Sequence, residues 1–93
     1  MNTKAKGSRR ERQARDLLFS WGAHAVTKAG ASLGIFDLLA LMDGELVCVQ
    51  VKSNRWPSAV EMQAMKSFPN LTYIKKLIIR YRDGVTEPDI KEV

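Results

Sequence analysis

Two apolar runs that flank the dipeptide Asp43-Gly44 restrict the fold of this 93-residue chain more than any other feature. The runs cover residues 35–41 and 46–52. Asp-Gly between two such runs predicts a β-hairpin closed by a two-residue type I′ turn. The turn determines the pairing of the strands, and it places Asp37 directly opposite Gln50, with Cβ atoms about 5 Å apart. The hairpin therefore predicts a polar pair within an apolar framework.

The second strand of this hairpin carries polar and apolar side chains on opposite faces. Lys52 is two residues beyond Gln50 and shares its face, because side chains alternate along a strand. The opposite face consists of core residues, Val47, Val49 and Val51. Polar groups among apolar strand positions carry a desolvation cost, so they need a functional reason.

The remaining segments predict one α/β domain with a mixed central sheet flanked by helices, in the order α-β-β-β-α-β. A first helix is predicted from Ser8 to about Trp21, ended by Gly22, and a short strand follows at 23–28. Residues 1–7 are predicted to be a disordered basic arm, and residues 8–93 the domain.

The second half of the chain predicts a helix and a strand. Ser58 and Glu61 form a capping box at the start of the helix, whose apolar face includes Val60, Ala64 and Met65. A strand of about ten residues begins near Thr72, and the tail could add a short edge strand.

Glu11 has two interpretations. With Ser8 it completes a capping box at the start of the first helix. It also lies on the inward stripe of that helix with Ala14 and Leu18, from which its carboxylate could reach a site on the sheet.

The net charge of +5 indicates a polyanionic partner. Much of the positive charge lies near the N-terminus, where it predicts contact with phosphates. The basic residues concerned are Lys4, Lys6, Arg9, Arg10, Arg12 and Arg15.

Cys48 is the one cysteine, so the chain forms no internal disulfide framework and a cysteine-based zinc site is excluded. No apolar stretch approaches about 18 residues, and no apolar region follows the basic start. These features predict a cytoplasmic protein with no membrane partner.

The polar set composed of Glu11, Asp37, Gln50 and Lys52 fits a metal-dependent phosphodiesterase site. Two carboxylates and one amide carbonyl offer oxygen ligands, and the backbone carbonyl of Val51 is a further candidate. The ammonium group could orient a water molecule and offset charge on a phosphate. Mg²⁺ is the expected ion, with Mn²⁺ as a substitute, because few protein ligands are offered.

These residues resemble the motif of the PD-(D/E)XK nuclease superfamily. Within it, the chain is most similar to the small archaeal-type and phage Holliday junction resolvases (Hjc-like). These resolvases have a basic first helix with a glutamate, a Gly/Ser loop before the aspartate, and Glu-X-Lys-Ser on the next strand. The matching segments here are Arg9-Arg10-Glu11-Arg12, Gly30-Ala31-Ser32, Phe36-Asp37 and Gln50-Val51-Lys52-Ser53.

The resemblance implies a restriction-endonuclease-like fold and a homodimer that nicks four-way DNA junctions symmetrically, in a prokaryotic cell or phage-infected host. It also implies that Ser32 lies on a loop near the scissile phosphate, and that Lys28 and Arg55 contact DNA phosphates. It implies no small-molecule cofactor.

Gln50 departs from the family pattern, which has an acid at this position. The amide can still bind a metal, but the site loses one negative charge. Two alternatives to a resolvase therefore remain: a nuclease of the same superfamily that acts on other branched or damaged DNA, and a non-catalytic nucleic-acid-binding module in which Gln50 marks lost activity.

Overall fold

The structure of the protein is a computed structural model that describes residues 3–30 and 34–93, with side chains from residue 7 onward. The elements in chain order are α1 (Thr3–Ser20), β1 (Ala25–Lys28), β2 (Leu38–Met42), β3 (Glu45–Ser53), α2 (Ala59–Ser67), β4 (Ile74–Tyr81) and β5 (Asp89–Glu92). The strands form one mixed sheet in the order β1-β2-β3-β4-β5. The predicted α/β class and element order are confirmed, including the added edge strand. Neither described helix is long and apolar enough to cross a membrane.

Only β3 and β4 are parallel, and the other neighbouring strands are antiparallel. This arrangement follows from the connections, because α2 carries the chain from the end of β3 back to the start of β4. The two helices pack on opposite faces of the sheet, α1 over one apolar cluster and α2 over the other.

The β2–β3 hairpin has the predicted register, from the pair Met42–Glu45 at the turn to the pair Leu38–Val49 at the far end. The predicted turn type is wrong. A type I′ turn needs positive φ at both central residues, whereas only Gly44 has it, at 72°. Asp43 instead uses its carboxylate to bind the imidazole of His24.

Helix α1 begins at Thr3, five residues before the predicted start. Ser8 is therefore inside the helix and is not its cap, and the expected capping box with Glu11 does not form. Residues 3–7 continue the helix where we expected a disordered arm. Gly7 within the helix costs about 1 kcal/mol relative to alanine, which does not by itself break a helix.

Helix α1 buries Ala14 and Leu18 against Leu38, Val49 and Ile79 of the sheet. These side chains lie on one stripe of α1, as the apolar spacing predicted. Trp21 does not complete this stripe, since it follows the helix and is 41 % exposed. Gly22, with a φ of 101°, ends the element.

Helix α2 starts with the predicted capping box of Ser58 and Glu61. Its buried face differs from the prediction, because Val60 is 80 % exposed and Ala64 is also exposed. Met65 is fully buried, and Phe68 packs edge-on against Phe36 of the hairpin with ring centroids 5.2 Å apart. The buried face is thus rotated about the helix axis relative to the predicted face. A helix of nine residues has only two full turns, so its apolar pattern defines the buried face poorly.

Lys76 attaches the end of α2 to the sheet. Its side chain is buried on β4, and its ammonium group donates hydrogen bonds to the carbonyl oxygens of Met65 (3.0 Å) and Phe68 (2.6 Å). A cation at the carbonyl end of a helix is favoured by the helix dipole. The charge is therefore compensated although it is buried.

Arg10 attaches α1 to the C-terminal end of β4 and to the turn that follows it. Its buried guanidinium group binds the carboxylate of Asp83 at 2.9 Å and lies 5.4 Å from the ring centroid of Tyr81. Asp83 also receives a hydrogen bond from Asn54, which joins the loop after β3 to the same point. Arg10, which we predicted to contact DNA, thus has a structural partner.

We expect Arg10→Ala to lower the free energy of unfolding by about 1.5–3 kcal/mol, the usual range for a charged hydrogen bond. Arg9→Ala is the matched control, because Arg9 is an exposed neighbour on the same helix and should change stability by less than about 0.5 kcal/mol. Urea denaturation followed by circular dichroism measures both. Equal stabilities of the two variants would contradict the role given to Arg10.

Candidate metal and phosphodiester site

Asp37 lies where the β2–β3 ladder stops, one residue before the first ladder residue of β2. Its backbone N–H donates to the carbonyl oxygen of Val49 at 2.8 Å. Its side chain then continues the pairing, because carboxylate oxygen Oδ2 accepts a hydrogen bond from the backbone N–H of Val51 at 2.8 Å. The carboxylate is thereby held at the end of the hairpin by the residue that follows Gln50.

Gln50 is buried on the α2 face of β3 with only 4 % of its surface exposed. Its amide nitrogen Nε2 donates to carboxylate oxygen Oε2 of Glu61 at 3.2 Å. Its carbonyl oxygen Oε1 is buried and finds no hydrogen-bond donor among the described residues. An unsatisfied buried oxygen costs free energy, so it indicates a missing partner such as a cation or a water molecule.

Glu61 was assigned to the helix cap alone in our sequence analysis, yet it also lies in the site. Both of its carboxylate oxygens lie 3.4 Å from the ammonium nitrogen of Lys52. Oε1 also accepts the cap hydrogen bond from the backbone N–H of Ser58 at 2.9 Å. The signal available in the sequence was its position at the start of the helix that follows Gln50 and Lys52.

Glu11 approaches from α1, on the other face of the sheet. Its carboxylate is 3.8 Å from the ammonium group of Lys28, and it lines a cleft of about 430 Å³ between α1 and β1. Arg12 and Arg15 also line this cleft, so its walls carry more positive than negative charge. Glu11 thus lies in a cleft and not at a helix cap, and it is near enough to Asp37 for its charge to raise the pKa of that carboxyl group.

Charge and burial together set the protonation of these carboxyl groups. Burial raises the pKa of Asp37, and the negative charges of Glu11 and Glu61 raise it further. The hydrogen bond from Val51 and the charge of Lys52 oppose that rise in the pKa. For Glu61, the backbone hydrogen bond from Ser58 lowers the pKa, and Lys52 adds to this. For Asp37, burial and the neighbouring carboxylates therefore outweigh the hydrogen bond and the positive charge of Lys52, and its pKa is raised.

Of the other predicted site residues, Arg12, Arg15 and Lys28 line the cleft that contains Glu11. Arg9, Arg12, Arg15, Lys28 and Arg55 are exposed, so their charges are accessible to a polyanion. Ser32 lies outside the described residues, as do the side chains of Lys4 and Lys6.

The donor set fits a hard divalent cation. Among the described residues no three of the types His, Cys, Asp and Glu form a metal cluster. Gln50 offers an amide oxygen where a carboxylate would carry a charge, and this Oε1, which has no donor among the described residues, is the kind of oxygen that Mg²⁺ accepts. A cation here would also offset the burial and the negative charges that raise the pKa of Asp37.

Comparison with known proteins gives a structural match without a sequence match. No protein-family model matches the chain, and no curated protein matches it. A solved structure does: Hjc, a Holliday junction resolvase from the archaeal hyperthermophile Archaeoglobus fulgidus. The TM-score is 0.72 at 20 % sequence identity, over 94 % of this chain and 72 % of that chain. The predicted resemblance is thus confirmed at the level of the fold: this chain has the fold of an archaeal Hjc resolvase.

Proposed function

We propose that the protein is a metal-dependent, structure-selective DNA endonuclease, and specifically a resolvase that nicks four-way junctions as a homodimer. The observation that carries the proposal is the Asp37 carboxylate fixed on the backbone N–H of Val51. Val51 lies between Lys52 and Gln50, whose buried carbonyl oxygen has no donor among the described residues. The fold shared with Hjc supports the same activity.

The role that we propose for each residue follows from the chemistry of its side chain. Asp37, Glu11, the Gln50 carbonyl and the Val51 carbonyl would hold Mg²⁺ or Mn²⁺, which supplies an acidified water and charge neutralisation. Lys52 donates hydrogen bonds that orient the attacking water and stabilise negative charge on the phosphate.

The substrate class follows from the charge of the surface. Arg12 and Arg15 of α1 line the cleft that contains Glu11, so they can contact the phosphates of a bound DNA. Such contacts read shape rather than base sequence. A junction needs two symmetric cuts, and each chain has one site, so a C2 dimer supplies the second.

A non-catalytic DNA-binding module is the second candidate, because Gln50 removes one acid from the site. Cleavage of branched or damaged DNA other than four-way junctions is the nearest enzymatic alternative. One substrate panel separates all three: an immobile junction, a flap, a nicked duplex and a linear duplex, each with Mg²⁺, Mn²⁺ or EDTA.

We expect paired symmetric nicks in the junction with Mg²⁺ or Mn²⁺ and none with EDTA. Asp37→Ala and Lys52→Ala should each lower the cleavage rate by at least about 10²-fold while junction binding survives. Glu87→Ala, which removes an exposed carboxylate outside the site, is the control and should cleave normally. Full cleavage by either site variant would reject the assignment, and tight binding without cleavage under any metal would favour the non-catalytic module.

Phosphate contacts by α1 make a separate prediction. We expect Arg12→Ala and Arg15→Ala each to reduce the slope of log affinity against log salt by about one, since each removes about one phosphate contact. Lys66→Ala, on the exposed side of α2, should leave the slope unchanged. Fluorescence anisotropy with a labelled junction at several salt concentrations measures the slopes, and an unchanged slope in both arginine variants would exclude this surface.

Asp37→Asn should raise the melting temperature of the metal-free protein at pH 7. The pKa of Asp37 is raised in the folded protein, so ionisation of this carboxyl group destabilises the fold. The destabilisation is complete at a pH above the folded pKa and absent at a pH below the ordinary pKa of aspartate. Asparagine keeps an acceptor for the Val51 N–H and carries no charge. The gain should therefore shrink near pH 3. Thermal unfolding in EDTA tests this, and a lower melting temperature at pH 7 would show that the charged carboxylate stabilises the fold.

A further inference from the structure

The amide of Gln50 has two chemically different ends, and only one of them can bind a cation. Nε2 carries two N–H donors, whereas Oε1 is an acceptor. A carboxylate at this position would have two equivalent oxygens and would need no orientation. Whether Gln50 can serve a metal site therefore depends on which end faces it.

Glu61 determines that orientation. Its ionised carboxylate only accepts hydrogen bonds, and it lies 3.2 Å from Nε2 of Gln50. The opposite amide orientation would place Oε1 against this carboxylate and lose the hydrogen bond. The carbonyl oxygen is therefore directed away from Glu61, where it is buried and unpartnered.

The start of α2 holds Glu61 in place. Carboxylate oxygen Oε1 accepts from the backbone N–H of Ser58, and the Ser58 hydroxyl accepts from the backbone N–H of Glu61 at 3.1 Å. Oε2 is thereby left to Gln50 and Lys52. The Glu61 side chain thus closes the helix cap and contacts the polar ends of both Gln50 and Lys52.

We propose that Glu61 is the positioning residue of this site. It directs the Gln50 carbonyl toward the divalent cation, and it supplies from α2 the negative charge that Gln50 lacks on β3. This inference rests on the proposed metal site and explains how an amide can stand there. A negative charge at either position 50 or position 61 should then be able to serve the cation.

Two single variants follow from this pairing. In Glu61→Gln the cap keeps the new side-chain oxygen on Ser58, so the new amino group faces Gln50. Gln50 then turns its own oxygen toward position 61 and its amino group toward the cation. In Gln50→Glu two carboxylates face each other at contact distance, which destabilises the metal-free protein.

The experiment is a double-mutant cycle on the full chain with two readouts: Mn²⁺ affinity, from the paramagnetic resonance signal of free Mn²⁺, and melting temperature in EDTA. We expect Glu61→Gln to weaken Mn²⁺ binding about 10–100-fold, the usual effect of losing a residue that orients a ligand. Adding Gln50→Glu to it should restore affinity to within about threefold. Gln50→Glu alone should lower the melting temperature, and the double variant should recover it.

Ser58→Ala is the matched control, because it removes the hydroxyl of the cap and leaves the contacts of Glu61 with Gln50 and Lys52. It should lower the melting temperature and change Mn²⁺ affinity less than about twofold.

Three results would overturn the inference while leaving the proposed function intact, provided that Asp37→Ala abolishes Mn²⁺ binding. These are wild-type affinity in Glu61→Gln, no recovery of affinity in the double variant, and an equal loss of affinity in Ser58→Ala. Wild-type Mn²⁺ affinity in Asp37→Ala would instead reject the metal site itself, and with it the proposed function.

Discussion

The hydrogen bond between the Asp37 carboxylate and the Val51 N–H is the interaction on which the site depends. Backbone pairing of β2 with β3 ends at Leu38 and Val49, and beyond that pair a side chain takes the place of a backbone acceptor. The next residues of β3 are therefore free of β2 on that edge while β4 still supports them from the other side. The sheet opens at one edge without losing rigidity, and the polar groups gather at this opening.

Much of this arrangement could be predicted because it is local. The Asp43-Gly44 turn and the alternation of side chains determine the hairpin register, and an error of one residue would have reversed every face. The predicted register is correct although the predicted turn type is wrong, because two-residue loops of either type give the same strand pairing. The hairpin register and the shared face of Gln50 and Lys52, which both contact Glu61, could thus be predicted from spacing alone.

The roles of Arg10, Lys76 and Glu61 could not be predicted, because their partners are distant in the chain or belong to other elements. Arg10 reaches Asp83, and Lys76 reaches back across the helix–strand connection to carbonyl groups that no sequence pattern marks. A basic run near the N-terminus therefore looked uniformly exposed although one of its members is buried. The start of α1 was missed for a related reason, since a good cap sequence at Ser8 does not prevent an earlier start.

In the proposed site, Glu61 would supply from α2 the negative charge that the motif on β3 lacks. A sequence motif records which residues lie on β3, whereas a cation responds to the total charge and to the oxygens that surround it, whatever element carries them. Helix α2 begins near the end of β3, and its cap needs an acidic or amide residue at that point. The same carboxylate can then serve the cap and the site, so the fold itself favours this position for the charge absent from β3.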